Sequence, residues 1–327
     1  MIEKFNIHTD LAVENKERFQ GDDVEISGVK VYERFDDKYE VNVTKVEIVS
    51  PEGANIMGKP IGKYVTIDAN DIRDKLFDHK RKRQLGKALA RELYYMMPID
   101  KKEDIKELSV LVVGLGNKEV TPDSLGPYVI ANLEVTRHIF MLKNNYGKNR
   151  GISAMIPGVM AQSGMESAEM VEGIVAQIKP DMVICIDALA AGSTKRLNST
   201  IQLADTGINP GAGIGNHRKA INKENLGVPV IAIGIPTVIH AATIVSDTMD
   251  EIIKVLSEIT YIKENGGLEA LRAFSDREKH NLVKELLEPH FGDMFVTPKD
   301  IDESIRFLAE IVAYGINIIF STNNLRN

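Results

Sequence analysis

The chain has 327 residues, a length that suits either one large α/β unit with additions or two closely packed parts. Hydrophobic residues make up 43% of the chain and charged residues 27%, which excludes a disordered, collagen-like or coiled-coil protein. The formal net charge is -7, so the chain lacks an overall basic character and we expect no direct binding of nucleic acid.

The start of the chain and its single cysteine indicate the compartment. The N-terminus has neither an apolar signal core nor an Arg-rich transit pattern. Cys185 lies in an apolar run, which favours a buried thiol over a nucleophile and fits a reducing compartment. The most apolar stretches are far shorter than a bilayer span. We therefore predict a cytoplasmic protein with no membrane partner.

The first structured part, about residues 24–69, alternates apolar and polar residues. This period of two predicts a half-exposed antiparallel β region. Residues 71–97 have a helical period, and Pro98 is expected to end that helix. The helix carries a basic run at residues 79–83, which we interpret as a solvated helix face, with a substrate-attracting patch as the alternative.

The central part of the chain, about residues 105–260, alternates strands with helices. Strands are predicted at residues 109–114, 181–187, 197–204 and 228–235, and helices at 125–140, 165–178 and 240–258. The alternation predicts right-handed βαβ units. The expected fold class is α/β, with a mainly parallel central sheet, flanking helices, the added N-terminal antiparallel region and further helices at about 268–320.

Two aspartates follow buried strands of this sheet. Asp123 comes after a glycine-rich turn that starts at Gly114, and Asp187 ends the strand at residues 181–187. Functional groups gather at the carboxyl ends of parallel strands, so we expect the two carboxylates to face each other. Such a pair activates water when one acid acts as general base and the other as general acid. Capping of the following helix is the alternative role of Asp123.

Three other patterns give weaker signals. The glycines at 114–126 lack the full spacing of a nucleotide-binding loop. The triplet at residues 205–207, Asp-Thr-Gly, occurs in pepsin-like proteases, but those are all-β, and a chance match is favoured. His240 follows the last predicted strand and either joins the two aspartates or only begins a helix. The histidines form no local zinc motif, and we predict no metal and no cofactor.

Six blocks in the middle of the chain, together with residues 8–14, carry a resemblance to a known family. They are GLGN at 114–117, TPDSLGP at 121–127, PGVMAQSG at 157–164, CIDALAA at 185–191, NPGAGIGN at 209–216 and GIPTV at 234–238. In this order they resemble the germination protease family of endospore-forming bacteria, nearly from end to end.

The resemblance implies a protease that cleaves the small acid-soluble proteins coating spore DNA, within the spore core. It implies a homotetramer made as a zymogen that removes its own N-terminal segment. Self-cleavage is expected at Ile7 and His8, which leaves a propeptide of residues 1–7 and a single peptidase domain of residues 8–327. The catalytic pair matches Asp123 and Asp187, and the core is similar to that of hydrogenase maturation proteases.

Supporting roles next to the pair, including stabilisation of an oxyanion, are predicted for Asn117, Thr121 and Ser193. Two alternatives stay open at this point. One is a metal-dependent maturation protease that would use Asp123, Asp187 and His240. The other is a regulatory module without enzyme activity that binds a nucleotide at residues 114–126.

Overall fold

The computed structural model describes residues 11–17, 27–98, 105, 107–142, 151–211, 219–258 and 294–320. The helices in these ranges are α1 Ala12–Glu17, α2 Pro51–Met57, α3 His79–Met96, α4 Leu125–Ala131, α5 Arg137–Leu142, α6 Met160–Ser163, α7 Ser167–Ile178, α8 Lys223–Leu226, α9 Ala241–Glu258 and α10 Ile301–Phe320. The strands are β1 Val29–Asp36, β2 Val41–Ile48, β3 Gly62–Asp68, β4 Ser109–Gly114, β5 Gly151–Met155, β6 Met182–Ala191, β7 Thr200–Ala204, β8 Val230–His240 and β9 Phe295–Val296. Among the described helices, none combines the length and the hydropathy that a membrane crossing requires.

These strands form one sheet in the order β1-β2-β3-β7-β8-β6-β4-β5, with β9 paired to the end of β8. The pairs β5–β4, β4–β6 and β6–β8 are parallel, and the pairs from β1 through β7 to β8 are antiparallel. The predicted α/β class is confirmed: β4, β5, β6 and β8 are parallel and the N-terminal strands are antiparallel, but β7, which comes from the central part of the chain, runs antiparallel to its neighbours. Both regions belong to one continuous sheet, because β7 pairs with β3 on one side and with β8 on the other.

The parallel strands are buried on both faces, which explains why their sequences are continuously apolar. In β4, Val110 and Val112 belong to a core shared with α3, α4 and α10, whereas Leu111 and Val113 pack on the opposite face with Val171 of α7. The antiparallel strand β2 instead buries Val41 and Val43 in the first core and Val46 and Ile48 in a second cluster on its other face, while Asn42 is exposed and Lys45 and Glu47 are partly exposed. The polar residues of β2 thus mark the parts of its faces that are left uncovered.

Three details differ from the sequence-based expectation. The helix predicted at 125–140 is two helices, because the backbone and hydroxyl of Thr136 bond to Ile152 of β5 and interrupt it. The short strand β5 was not predicted. Strands β6 and β8 run on beyond their predicted ends, to Ala191 and His240. Of the helical region predicted at about 268–320, the part before residue 294 lies outside the described residues.

Candidate active site

The loop after β4 begins beside Asp187. Gly114, the last residue of β4, pairs with Ile186 of β6, and the amide of Leu115 donates a hydrogen bond to the Ile186 carbonyl at 2.8 Å. Asp187 is the next residue and pairs with Gly234 of β8. The expectation that Asp187 ends its strand was wrong, since β6 continues to Ala191. Asp187 nevertheless lies one residue beyond the last pair between β6 and β4.

Asp123 closes the same loop. It ends the 3₁₀ turn Thr121–Asp123, and the amide of Asn117 donates to its Oδ2 at 2.8 Å and to its carbonyl oxygen at 3.1 Å. Within this loop, Gly116 has a φ of 102°, and a Cβ there would lie 2.0 Å from the Asp123 carbonyl oxygen. Only glycine fits this approach. The Asp123 carboxylate thus accepts a hydrogen bond from within its own loop. The residue at the N-terminal end of α4 is Ser124.

A β-bulge in β8 supports the turn that carries Asp123. The register of β6 and β8 shifts so that Leu189 pairs with Pro236 and Ala190 with Val238, which leaves Thr237 as the extra residue. Thr237 is fully buried, and its hydroxyl donates to the Pro122 carbonyl at 2.7 Å. The Thr237 carbonyl in turn accepts a hydrogen bond from the Thr297 hydroxyl at 2.8 Å. The bulge therefore ties the turn to β8 and to the segment before α10.

Asp187 lies in an almost closed environment, with 6% of its surface exposed. Its Oδ1 accepts a hydrogen bond from the amide of Ala188 at 2.9 Å. Cys185 shares its face of β6, and burial raises the pKa of that thiol, with the negative charge of Asp187 as a further cause. Cys185 is therefore a protonated thiol at neutral pH, which agrees with the expectation that it is not a nucleophile.

The N-terminal segment covers β6 just beyond Asp187. Leu11 and Val13 pack against Leu189, and the Glu14 carboxylate accepts a hydrogen bond from the Gly192 amide at 2.8 Å. Leu189 itself fills the space above Gly234, where a Cβ would lie 2.3 Å from it. The predicted cleavage region, Ile7 and His8, lies outside the described residues.

Asn117 and Thr121 belong to the Asp123 loop. The Asn117 side-chain oxygen accepts hydrogen bonds from Gln162 and from the Glu119 amide, both at 3.0 Å. The Thr121 hydroxyl donates to Asp302 in the first turn of α10 at 3.0 Å. The structure therefore brings Asn117, Thr121, Asp123 and Asp187 to one edge of the sheet.

Ser193 and His240 lie further along the sheet. Ser193 caps the 3₁₀ turn Thr194–Arg196 through the Lys195 amide and contacts Asp247 of α9. His240 is buried, its Nδ1 accepts from the Ala242 amide, and its ring meets Phe295 edge-on.

The position of His240 bears on the metal alternative. Its neighbour Ile239 pairs with Ala191, four residues beyond Asp187 and so about 13 Å along the strand. Within the described ranges, no group of three His, Cys, Asp or Glu side chains is placed to hold a metal ion. The geometry gives no support to a shared metal site of His240 and the two aspartates.

Asp205 lies at the opposite edge of the sheet from the pair. It follows β7, whose last residue Ala204 pairs with Ala232 near the start of β8, because β7 runs antiparallel to β8. The Asp205 carboxylate accepts a hydrogen bond from the Lys63 amide at 2.7 Å, and burial raises its pKa. In this position Asp205 connects β7 to β3.

Sequence reasoning missed Thr237 and Leu189. A signal for Thr237 was present, because a proline inside a buried strand is confined to edges and bulges, and Pro236 lies within β8. Leu189 had no such signal, since only the register of β6 and β8 places it over Gly234 and beneath the N-terminal segment.

An α/β protein with two aspartates at one edge of its sheet has an arrangement suited to hydrolysis. A family model described as germination protease matches residues 6–266 and 262–324 of the chain. The chain therefore belongs to the germination protease family; it is a peptidase with a role in spore germination.

Curated relatives named germination protease extend over nearly the whole chain. A protein from Clostridium perfringens is 42% identical over 323 residues, which are 98% of this chain and 96% of the relative. One from Caldanaerobacter subterraneus is 42% identical and covers 97% of this chain and 95% of its own. One from Bacillus cereus is 40% identical, with 97% and 94% covered.

Among solved structures, a [NiFe] hydrogenase maturation protease, HycI from Thermococcus kodakarensis, is 21% identical to this chain. The match covers 42% of this chain and 79% of that one, with a TM-score of 0.28. A TM-score of this size does not establish a shared fold, and the α/β class rests on the strands and helices described above.

Proposed function

We propose that the chain is an aspartate-dependent endopeptidase that initiates the degradation of small acid-soluble spore proteins. The observation that carries the proposal is the placement of Asp123 and Asp187 at one edge of the sheet, where the loop after β4 meets β6. Membership in the germination protease family and the sequence resemblance support the choice of substrate class. The spore core is the compartment in which such a substrate is met.

In the proposed reaction, one carboxylate takes a proton from a water molecule as the water oxygen attacks the peptide carbonyl carbon. The other acid, in its protonated form, delivers a proton to the leaving amide nitrogen as the C–N bond breaks. Either aspartate can fill either role. Asn117 and Thr121 position the Asp123 turn through hydrogen bonds, while Ser193 and His240 remain hypotheses as supporting residues.

Self-processing of the N-terminus is part of the proposal. Leu11 is anchored on Leu189, two positions from Asp187. A chain of three residues spans at most about 11 Å, so the predicted cleavage region at Ile7 and His8 begins within that distance of Leu11. We expect incubation at mildly acidic pH to trim the chain near His8. Assembly as a homotetramer is a further part, to be tested by analytical ultracentrifugation.

The decisive experiment replaces each carboxylate by its amide. Asp123→Asn and Asp187→Asn should each lower kcat/KM on a purified small acid-soluble spore protein by at least about 1,000-fold, because neither amide can transfer a proton. Both variants should also keep their N-terminus, as judged by intact mass. Asp205→Asn is the matched control and should cleave normally. Full activity of either catalytic variant, with unchanged circular dichroism, overturns the mechanism.

A further inference from the structure

A basic groove lies between the turn that joins β1 to β2 and the first turns of α3. It is a cavity of about 700 Å³, lined by the cations Lys38, Lys80, Arg83 and Lys87 together with His79 and Gln84. The buried ring of Tyr39 forms part of the wall. We call this set the basic groove.

The spacing of α3 separates its groove residues from those that hold the fold. Lys80, Arg83 and Lys87 are three and four residues apart, so they lie on one face of the helix. Arg81, within the same basic run, is buried and bonds to Asp71 and to the carbonyl of Tyr39. Lys82 pairs with Glu310 of α10. The run therefore contains two structural cations, and the rest of it faces the groove.

The groove cations are exposed and their charges are not neutralised. Within the described ranges, Lys38, Lys80, Arg83 and Lys87 form no ion pair with a carboxylate. Three carboxylates are close to the groove residues in the sequence: Asp37 and Glu40 flank Lys38 and Tyr39 in the turn, and Asp78 accepts hydrogen bonds from the amides of Lys80 and Arg81 as the cap of α3. A concentration of positive charge on a chain of net charge -7 is a local exception that attracts anionic groups.

The basic groove lies at the same edge of the sheet as the aspartate pair. Asp187 is level with Thr44 of β2 through the pairs with Gly234, Gln202 and Thr66. Four strand spacings of about 4.8 Å separate β2 from β6, or about 19 Å across the sheet, and the three residues from Thr44 back to the start of β2 add about 10 Å along the strand. The separation is therefore at least about 21 Å, which an extended peptide covers with at least about seven residues.

We propose that the basic groove binds an acidic segment of the protein substrate while the scissile bond lies at Asp123 and Asp187. This inference rests on the proposed function as an endopeptidase acting on an extended chain. Carboxylates complement the four unpaired cations, and the negative charge of the molecule as a whole disfavours acidic segments elsewhere. The same net charge argues against a nucleic-acid backbone as the occupant, since such surfaces belong to domains that are basic overall.

Binding is tested separately from catalysis. The probe is fluorescein-labelled octaglutamate, titrated with the full chain carrying Asp187→Asn and followed by anisotropy. The triple variant Lys80→Gln, Arg83→Gln, Lys87→Gln should weaken binding about tenfold, and added salt should weaken it further. The control triple Lys30→Gln, Lys63→Gln, Lys223→Gln removes the same number of exposed charges at the opposite edge and should bind like the parent.

Equal affinities of the two triple variants for octaglutamate overturn the proposal. So does a result in which a labelled DNA 20-mer binds through the groove and octaglutamate does not. With Asp187 restored, cleavage of a small acid-soluble spore protein should show a KM raised about tenfold in the groove variant and an unchanged kcat. If no variant cleaves that protein, the proposed function fails, while the anisotropy titration still decides whether the groove binds acidic peptide.

Discussion

The antiparallel and parallel regions of the sheet use their charged side chains in different ways. In the antiparallel region, charges of opposite sign pair with each other across elements. Glu92 of α3 is fully buried and pairs with Arg34 of β1, Lys45 of β2 and Arg91. Asp36 at the end of β1 pairs with Arg34 and Arg91. These pairs hold the outer strands against α3.

In the parallel region, the strands are apolar and two carboxylates at their edge are bound by backbone amides. Asn117 donates its amide to Asp123, and Ala188 donates its amide to Asp187. Hydrogen bonds from backbone amides orient a carboxylate and stabilise its charged form. We therefore expect changes in the antiparallel region to alter stability and changes at the parallel edge to alter activity.

After the two aspartate substitutions, the largest effect is expected from Gly116→Ala. The added Cβ would meet the Asp123 carbonyl oxygen at 2.0 Å, so the turn that carries Asp123 must shift. A displacement of about 1 Å near reacting groups costs about 100-fold in kcat/KM. The matched control is Gly58→Ala in the other region, where φ is also positive but nothing lies within 4 Å of the new Cβ. That control should lose about 1 kcal/mol of stability and no activity; equal losses of activity in both variants contradict the assignment.

The next effect is expected from Glu92→Gln. Removing the charge of this buried carboxylate leaves three cations without their shared partner, and the free energy of unfolding should fall by about 2 kcal/mol. The cost is set below that of a fully buried pair because Arg34 and Lys45 are partly exposed. Urea unfolding measures the change, and kcat/KM at low temperature should stay at the parent value. A large loss of kcat in the folded variant would break the division between the two regions.

A smaller effect is expected from Thr237→Val. Valine keeps the shape of threonine but leaves the buried Pro122 carbonyl without its donor, which costs about 1–2 kcal/mol. Because Pro122 precedes Asp123, we expect a shift of Pro122 to displace Asp123 as well, with kcat about tenfold lower and KM unchanged. Thr237→Ser retains the hydroxyl and should recover most of kcat. If both variants lose stability alone, the bulge only supports the fold.

The smallest effect is expected from acid. Burial by itself would raise the pKa of Asp36, but hydrogen bonds from Arg91 and Arg34 outweigh it and lower that pKa below its ordinary value of 3.8. A carboxyl group with a lowered pKa in the folded state adds stability above its unfolded pKa and loses that contribution as pH falls through the folded pKa. Tm should therefore decline below about pH 4. Asp36→Asn should show a lower Tm at neutral pH and a shallower decline of Tm with falling pH. An identical decline in both proteins would show that Asp36 does not cause it.

Much of the parallel region could be predicted because a strand that is buried on both faces has a continuous apolar sequence. The apolar runs of β4 and β6 and the glycine-rich turn after β4 located Asp123 and Asp187 near one edge. In the antiparallel region, only the alternation of apolar and polar residues could be recognised in the sequence. Its ion pairs could not be predicted, since Arg34, Lys45 and Glu92 are far apart in the chain and meet only when α3 packs on the outer strands.

The sequence by itself determined the α/β class, the family and the positions of the two aspartates, because strand periodicity and long motifs are local properties. Tertiary structure alone decided the rest. It placed Asp205 at the far edge, since the direction of β7 depends on its partners in the sheet. It made Thr237 a bulged residue that bonds to Pro122, since a bulge exists only in the register of two strands. It also brought the cations of α3 to the aspartates' edge, at least about 21 Å away, since that distance is set by the order and register of the strands.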